Sequence, residues 1–230
     1  IANSDDLRWR IFNVLPAAGY QMDRLLQLMD VVESDLSPTA CVECRAKPRM
    51  HLNPEFVAEH CQRDEHLFML VMHELYHVIL GHTRLFKRVT PLHNLVFDAV
   101  INSMLCHEFP EPVYREFFCK LNDWNRVPGR LLRPPPNWRV GGNIQMPEDA
   151  SKAEVKAIEL LYGGTDEDNA NVTYHDVFEA VAKSLRPFFV SDDLDELFNG
   201  AVLLGDHAGA GLSGELDEAV LADGVVKGIV

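Results

Sequence analysis

The stretch from Leu67 to Leu80 is the sequence feature that most constrains the fold. It reads LFMLVMHELYHVIL and is apolar on nearly every face of a helix, which predicts a helix buried on all sides. The same stretch carries His73, Glu74 and His77. A buried imidazole or carboxylate costs several kcal/mol unless it is paired, hydrogen-bonded or bound to a metal. The three polar side chains therefore need a compensating partner.

The spacing of these three residues indicates what that partner is. Successive helical residues advance by about 100°, so His73 and His77 lie on one face and their rings can converge on one cation. Glu74 lies one residue around the helix, where it can reach a water molecule on that cation but is poorly placed to bind the metal itself. A chance match on a core helix is the alternative. We prefer a zinc site with an HExxH arrangement.

A hydrolytic zinc site needs a third protein ligand, and the sequence offers two candidates. Asp98 lies in NLVFDAVINSML, where Asn94, Asp98 and Asn102 repeat every four residues as one polar stripe on an apolar helix. We expect Asp98 to be the ligand, with Asn94 and Asn102 orienting the ligands through hydrogen bonds. His82 is the alternate third ligand, provided that the helix breaks at Gly81.

Helical periodicity and turn residues predict a mostly helical α+β fold with a small sheet. A strand is predicted at 49–52 and a helix start at Pro54. Helices are predicted twice within 7–33, then at about 64–80, 92–106, 151–162 and 173–185. We expect one domain over residues 1–190, followed by an acidic, Gly-rich segment over 191–230 that serves as a lid or a linker.

Charge and composition exclude several classes of protein. A formal net charge of -14 repels phosphate backbones and anionic membranes, so we expect no nucleic-acid or membrane partner. The 5 cysteines, an odd number without repeated spacing, argue against a secreted disulfide framework and favour a cytoplasmic protein with reduced thiols. Cys41 and Cys44 could form half of a zinc knuckle, although no second CxxC follows and ordinary thiols are the better interpretation.

Together these motifs resemble a known family. HExxHxxxxH at 73–82, NxxxDxxxN at 94–102 and the upstream Leu52–Phe56 look like the metallopeptidase domain of VWA-like domain proteins, over roughly residues 10–185. The resemblance implies a zincin-like fold with a central HExxH helix and a zinc-dependent peptidase. The partners that it implies are a MoxR-type AAA+ ATPase or a VWA protein. Two departures are the lack of a recognisable VWA domain after residue 190 and an altered turn at 41–49.

The predicted reaction is metal-assisted hydrolysis of a peptide bond. Zinc would activate a water molecule, and Glu74 would act as general base and then pass the proton to the leaving amine. Oxyanion stabilisers could come from Tyr76, Tyr174, His175 and His207. A polypeptide substrate could pair with an edge strand at 49–52.

Two other function classes stay open. The chain could be a catalytically silent zincin-fold module that assembles with an AAA+ ATPase, although the retained Glu74 argues against this. It could also be a metal-dependent hydrolase of a non-peptide bond, because the motif specifies an activated water and not the bond attacked.

Overall fold

A computed structural model describes residues 4–13, 27, 29–43, 49–80, 91–138, 144–163, 174–190 and 202–204. The chain divides into two compact units, Ile1–Val89 with Leu204–Val230, and Thr90–Leu203. The predicted tail at 191–230 lies outside the described residues except for 202–204, so its role as a lid or linker stays a prediction. None of the described helices is long and apolar enough to cross a membrane.

In its described part, the first unit combines three helices with a small sheet. Its elements are α1 (Ser4–Asn13), β1 (Asp30–Glu33), β2 (Ala40–Glu43), β3 (Arg49–Leu52), α2 (Pro54–His60) and α3 (Asp64–Ile79). Helix α1 buries Leu7 and Ile11, one turn apart on the same face. Arg10 on α1 donates to Asp64 at 2.7 Å and to the Cys61 carbonyl at 2.9 Å, which ties α1 to the start of α3.

The sheet has the strand order β1-β3-β2. Strand β3 pairs in parallel with β1 and antiparallel with β2. The strand predicted at 49–52 is therefore present, but its predicted position at the edge is wrong: it is the central strand, with a neighbour on both sides. The helix predicted to extend to residue 33 is also wrong over 30–33, because these residues form β1.

The start of α2 follows from its sequence. Asn53 caps the helix, its side-chain oxygen accepting from the amides of Glu55 and Phe56, and Pro54 occupies the first turn as predicted. Helix α3 begins at Asp64, where the sequence predicts its start, and Arg63 is its N-cap. Asp64 and Glu65 then lie in the first turn, where negative charge complements the helix dipole.

The second unit is helical in its described part. It contains α4 (Pro91–Glu108), α5 (Pro112–Leu121), a 3₁₀ turn (Gly129–Leu131), α6 (Lys152–Tyr162) and α7 (Tyr174–Val190). The predicted capping box is present, with Ser151 and Glu154 each satisfying the other's backbone amide. The described residues are thus mostly helical with one small mixed sheet, in agreement with an α+β class.

Candidate metal centre

Helix α3 is buried along almost its whole length. Every residue from His66 to Val78 is buried, including the three polar residues of the motif, of which His73 is 0% and Glu74 and His77 are each 1% exposed. Apolar side chains surround the helix on all faces, so water does not solvate these groups. The helix thus holds two imidazoles and a carboxylate in a dry environment, where interactions with charge are strong.

His73 and His77 face each other one turn apart, as their spacing predicts. Their Nε2 atoms lie 3.0 Å apart, and the ring centroids are 4.7 Å apart with the planes at 67°. Two Nε2 atoms at this distance either share a hydrogen, one donating and one accepting, or direct both lone pairs at one cation. A tetrahedral zinc ion bound at about 2.0–2.1 Å would separate its two nitrogen ligands by about 3.3 Å. The pair is close to that separation.

Glu74 follows His73 on the same turn. Its side chain is buried with those of the two histidines. Because successive helical positions differ by about 100°, its carboxylate is directed to one side of the histidine face. That position suits a group that exchanges a proton beside a metal better than a group that binds the metal.

Helix α4, in the second unit, carries the predicted polar stripe. Asp98 is 1% and Asn102 is 2% exposed, whereas Asn94 is half-buried. The Asn102 side-chain amide donates to the Leu132 carbonyl at 2.9 Å, so this residue also fixes the end of the 3₁₀ turn. The Asn94 Oδ1 atom is buried and accepts no hydrogen bond within the described ranges.

The structure describes only some of the other candidate residues. His82 and His207 lie outside the described residues, as do the Cys44 half of the CxxC motif and the Tyr174 side chain. His175 is exposed near the start of α7, and Tyr76 is 7% exposed on α3. The structure therefore brings together His73, Glu74 and His77 on one helix and leaves the oxyanion stabiliser unassigned.

The sequence interpretation overlooked His66. This residue is fully buried on α3, seven positions before His73 and hence on the same face. The i, i+7 spacing of His66 and His73 was the feature of the sequence that could have identified it. Seven residues correspond to about 10.5 Å along the helix axis, too far for His66 to share a metal with His73 and His77.

Residues 18–121 match a domain family described as "Putative metallopeptidase domain". The matched stretch covers less than half of the 230 residues and is shorter than the expected 10–185, but it contains both histidines, Glu74 and Asp98. No curated protein and no solved structure matches the chain in the same comparisons. The similarity of residues 18–121 to this family supports, in general terms, a metallopeptidase domain in this chain.

Proposed function

We propose that this protein is a zinc-dependent peptidase. The observation that carries the proposal is the His73 and His77 pair, with Nε2 atoms 3.0 Å apart on a fully buried helix, within the stretch that matches the metallopeptidase family. A pair of imidazoles in an apolar interior has little reason to exist without a charge or proton to share. The presence of Glu74 between the two histidines in the sequence favours an enzyme over a catalytically silent assembly module.

We assign the third ligand to Asp98. Asp98 offers a carboxylate oxygen as a ligand atom, from the polar stripe of an otherwise apolar helix. Two imidazole nitrogens and one carboxylate oxygen form a donor set that suits catalytic zinc and leaves a fourth position open. Asp98 and the histidines are all nearly fully buried, which favours a bound cation over solvated charges.

The chain's own residues divide the chemistry between them. When bound, zinc would supply Lewis acidity, which lowers the pKa of water and polarises a peptide carbonyl. The Glu74 carboxylate accepts the proton of the attacking water and later donates it to the leaving amine. The apolar side chains of α3 exclude bulk water from this exchange.

We assign polypeptide as the substrate. The partners are assigned from the sequence resemblance alone. A cytosolic peptidase needs restraint, and a MoxR-type AAA+ ATPase or a VWA protein would supply it by controlling delivery of substrate. A zincin-like arrangement of sheet and helix is part of the same proposal.

The experiment that tests the proposal is metal analysis by mass spectrometry, combined with cleavage of an unfolded protein. We expect one zinc ion per chain in the parent and in Glu74→Gln, and none in His73→Ala. Glu74→Gln keeps the ligands but removes the base, so cleavage should fall to background. The protein should be purified without chelators or a polyhistidine tag. A folded parent that takes up no metal, or a Glu74→Gln variant that still cleaves, contradicts the proposal.

The third ligand is tested by a matched pair of variants. Asp98→Ala should lose bound zinc, whereas His82→Ala should retain it, because only the first change removes a donor from the proposed set. Zinc content per folded chain, measured after dialysis, distinguishes the two. Zinc retained in Asp98→Ala and lost in His82→Ala would transfer the assignment to His82.

A further inference from the structure

The three-stranded sheet has one apolar and one polar face. Successive residues of a strand point to opposite faces, and residues paired across strands share a face. The mostly apolar face carries the buried residues Val31, Ala40, Met50 and Leu52, together with Val42 and Glu33, which are half-buried. The opposite face carries Asp30 and Val32 on β1, Cys41 and Glu43 on β2, and Arg49 and His51 on β3. A thiol, an imidazole and a carboxylate thus share the polar face.

His51 lies at the centre of this polar group. It is 9% exposed, and its Nε2 atom is 3.4 Å from Glu43 Oε2. Its Nδ1 atom is buried and has no hydrogen-bond partner in the part of the chain that the structure describes. In the tautomer that carries hydrogen on Nε2, the ring donates to Glu43 and Nδ1 keeps its lone pair. The carboxylate therefore leaves Nδ1 as a base.

Cys41 is the residue directly opposite His51 in the antiparallel pair β2 and β3. Side chains in such pairs have Cβ atoms about 4.5–5.5 Å apart, so the thiol and the imidazole are neighbours, although no hydrogen bond joins the Cys41 sulfur to Nδ1. Cys41 is half-buried and forms no disulfide among the described residues. The order thiol, imidazole, carboxylate is the one that activates a nucleophile.

We propose that Cys41, His51 and Glu43 form a second chemical site, in which His51 accepts the proton of the Cys41 thiol and Glu43 stabilises the resulting imidazolium. The product is a thiolate that small electrophiles modify. The electrophile that we assign is a low-molecular-weight disulfide. The Cys41 sulfur attacks one sulfur of that disulfide, a new S–S bond forms, the old one breaks, and the other half leaves as a thiolate that takes a proton from solvent.

The charges on the same face are compatible with this site. Arg49 lies opposite Glu43 and is exposed, and Asp30 pairs with Arg49 from the other side. Arg49 favours a nearby thiolate and Asp30 opposes it, and both act through solvent. Val32, the other neighbour of His51 in the register, carries no charge. His51 is thus the group in this register best placed to take the proton.

The other described thiols should not compete. Burial raises the pKa of the Cys61 thiol to about 12, with the Arg10 guanidinium opposing the shift. Burial likewise raises the pKa values of Cys106 and Cys119. These thiols stay protonated at neutral pH and react slowly. Cys44 lies outside the described residues and is replaced by Ser in the test.

The test measures alkylation of Cys41 in the full chain carrying Cys44→Ser. Iodoacetamide labelling is followed by peptide mass spectrometry from about pH 5 to 9, and the pH at which the rate is half-maximal is recorded. A free thiol gives a midpoint near 8.5. We expect a midpoint at least about one unit lower in the folded protein, and a return to about 8.5 in His51→Gln. At pH 7 this corresponds to about a tenfold loss of thiolate.

Two further measurements make the result unambiguous. Glu43→Gln, on the outer strand, should raise the midpoint part of the way, and it provides the test if His51→Gln fails to fold. Incubation with glutathione disulfide should add one glutathione at Cys41 in the parent and much less in either variant. A parent midpoint near 8.5, or one unchanged by both substitutions, overturns the proposal.

Discussion

Arg130 is a charged side chain that the second unit buries almost completely. Only 3% of the side chain is exposed, and its guanidinium contacts Glu154 at 3.3 Å and Asp149 at 3.2 Å. It also donates to the Asn125 carbonyl at 3.0 Å. One guanidinium thus connects the 3₁₀ turn, the segment before α6 and the capping box of α6.

Arg130→Met should therefore destabilise the protein strongly. The change leaves the Glu154 carboxylate buried without its cation, and removal of one partner of a buried pair costs about 3–5 kcal/mol. The exposed Arg126, 3.9 Å from Asp123, provides the matched control. Arg126→Met should change the free energy of unfolding by less than about 1 kcal/mol. Equal effects of the two variants in urea unfolding would refute this role of Arg130.

At the scale of single residues, the part of the candidate site that depends on helix geometry alone could be predicted. The i, i+4 spacing of His73 and His77 fixes their shared face, and the apolar neighbours of the motif predict its burial. The group on the sheet was missed, because a Cys41 and His51 pair depends on the register between two strands. Short sequences do not specify that register.

At the scale of the element, Asn53 links a strand, a loop and a helix. Its Oδ1 accepts from Glu55 and Phe56 at the start of α2, and its Nδ2 donates to the Ser37 carbonyl at 3.0 Å. Asn53→Ala removes both functions and should cost about 1 kcal/mol for the cap alone. Asn53→Asp keeps the cap and loses the donor, so its cost in a denaturant titration should be smaller. If Asn53→Asp costs as much as Asn53→Ala, the cap is not the important contact.

Most helices were predicted because caps, prolines and long apolar periods are local signals. The capping box at Ser151 and the first-turn position of Pro54 are examples. The four residues of β1 gave no comparable signal, because Val31 and Val32 fit a helical or an extended pattern equally well. The central position of β3 could not be predicted either, since it depends on pairing with β1 from 19 residues earlier in the chain.

At the scale of the whole molecule, several buried acidic groups set the response to alkaline pH. Desolvation by burial raises the pKa of Cys61 to about 12 and those of Cys106 and Tyr162 well above their ordinary values. The unfolded chain releases these protons first as the pH rises, so it binds fewer protons than the native state above about pH 9. The stability that these groups contribute is fully present below the unfolded pKa values and is lost as the pH rises from the unfolded towards the folded pKa values.

We therefore expect the free energy of unfolding to fall between about pH 9 and 11. Each group lowers the free energy of unfolding by up to about 1.4 kcal/mol per pH unit, over the range in which it is deprotonated only in the unfolded state. Cys61→Ala and Cys61→Val should both give shallower slopes in urea unfolding across this range. Because the two variants pack differently, a shared change in slope reports the missing proton. Slopes identical to that of the parent would contradict the proposed contribution of the Cys61 thiol to the pH dependence.

The order of strands has a consequence for how the chain folds. Strands β2 and β3 are close in sequence and antiparallel, so they can pair early as a hairpin, whereas β1 must wait for the edge that β3 presents. The segment synthesised first thus joins the sheet last, and a nascent chain ending at residue 43 has no partner to offer β1 within this sheet. A ribosome-bound chain that has emerged from the exit tunnel only as far as residue 43 should leave β1 accessible to proteases and chaperones.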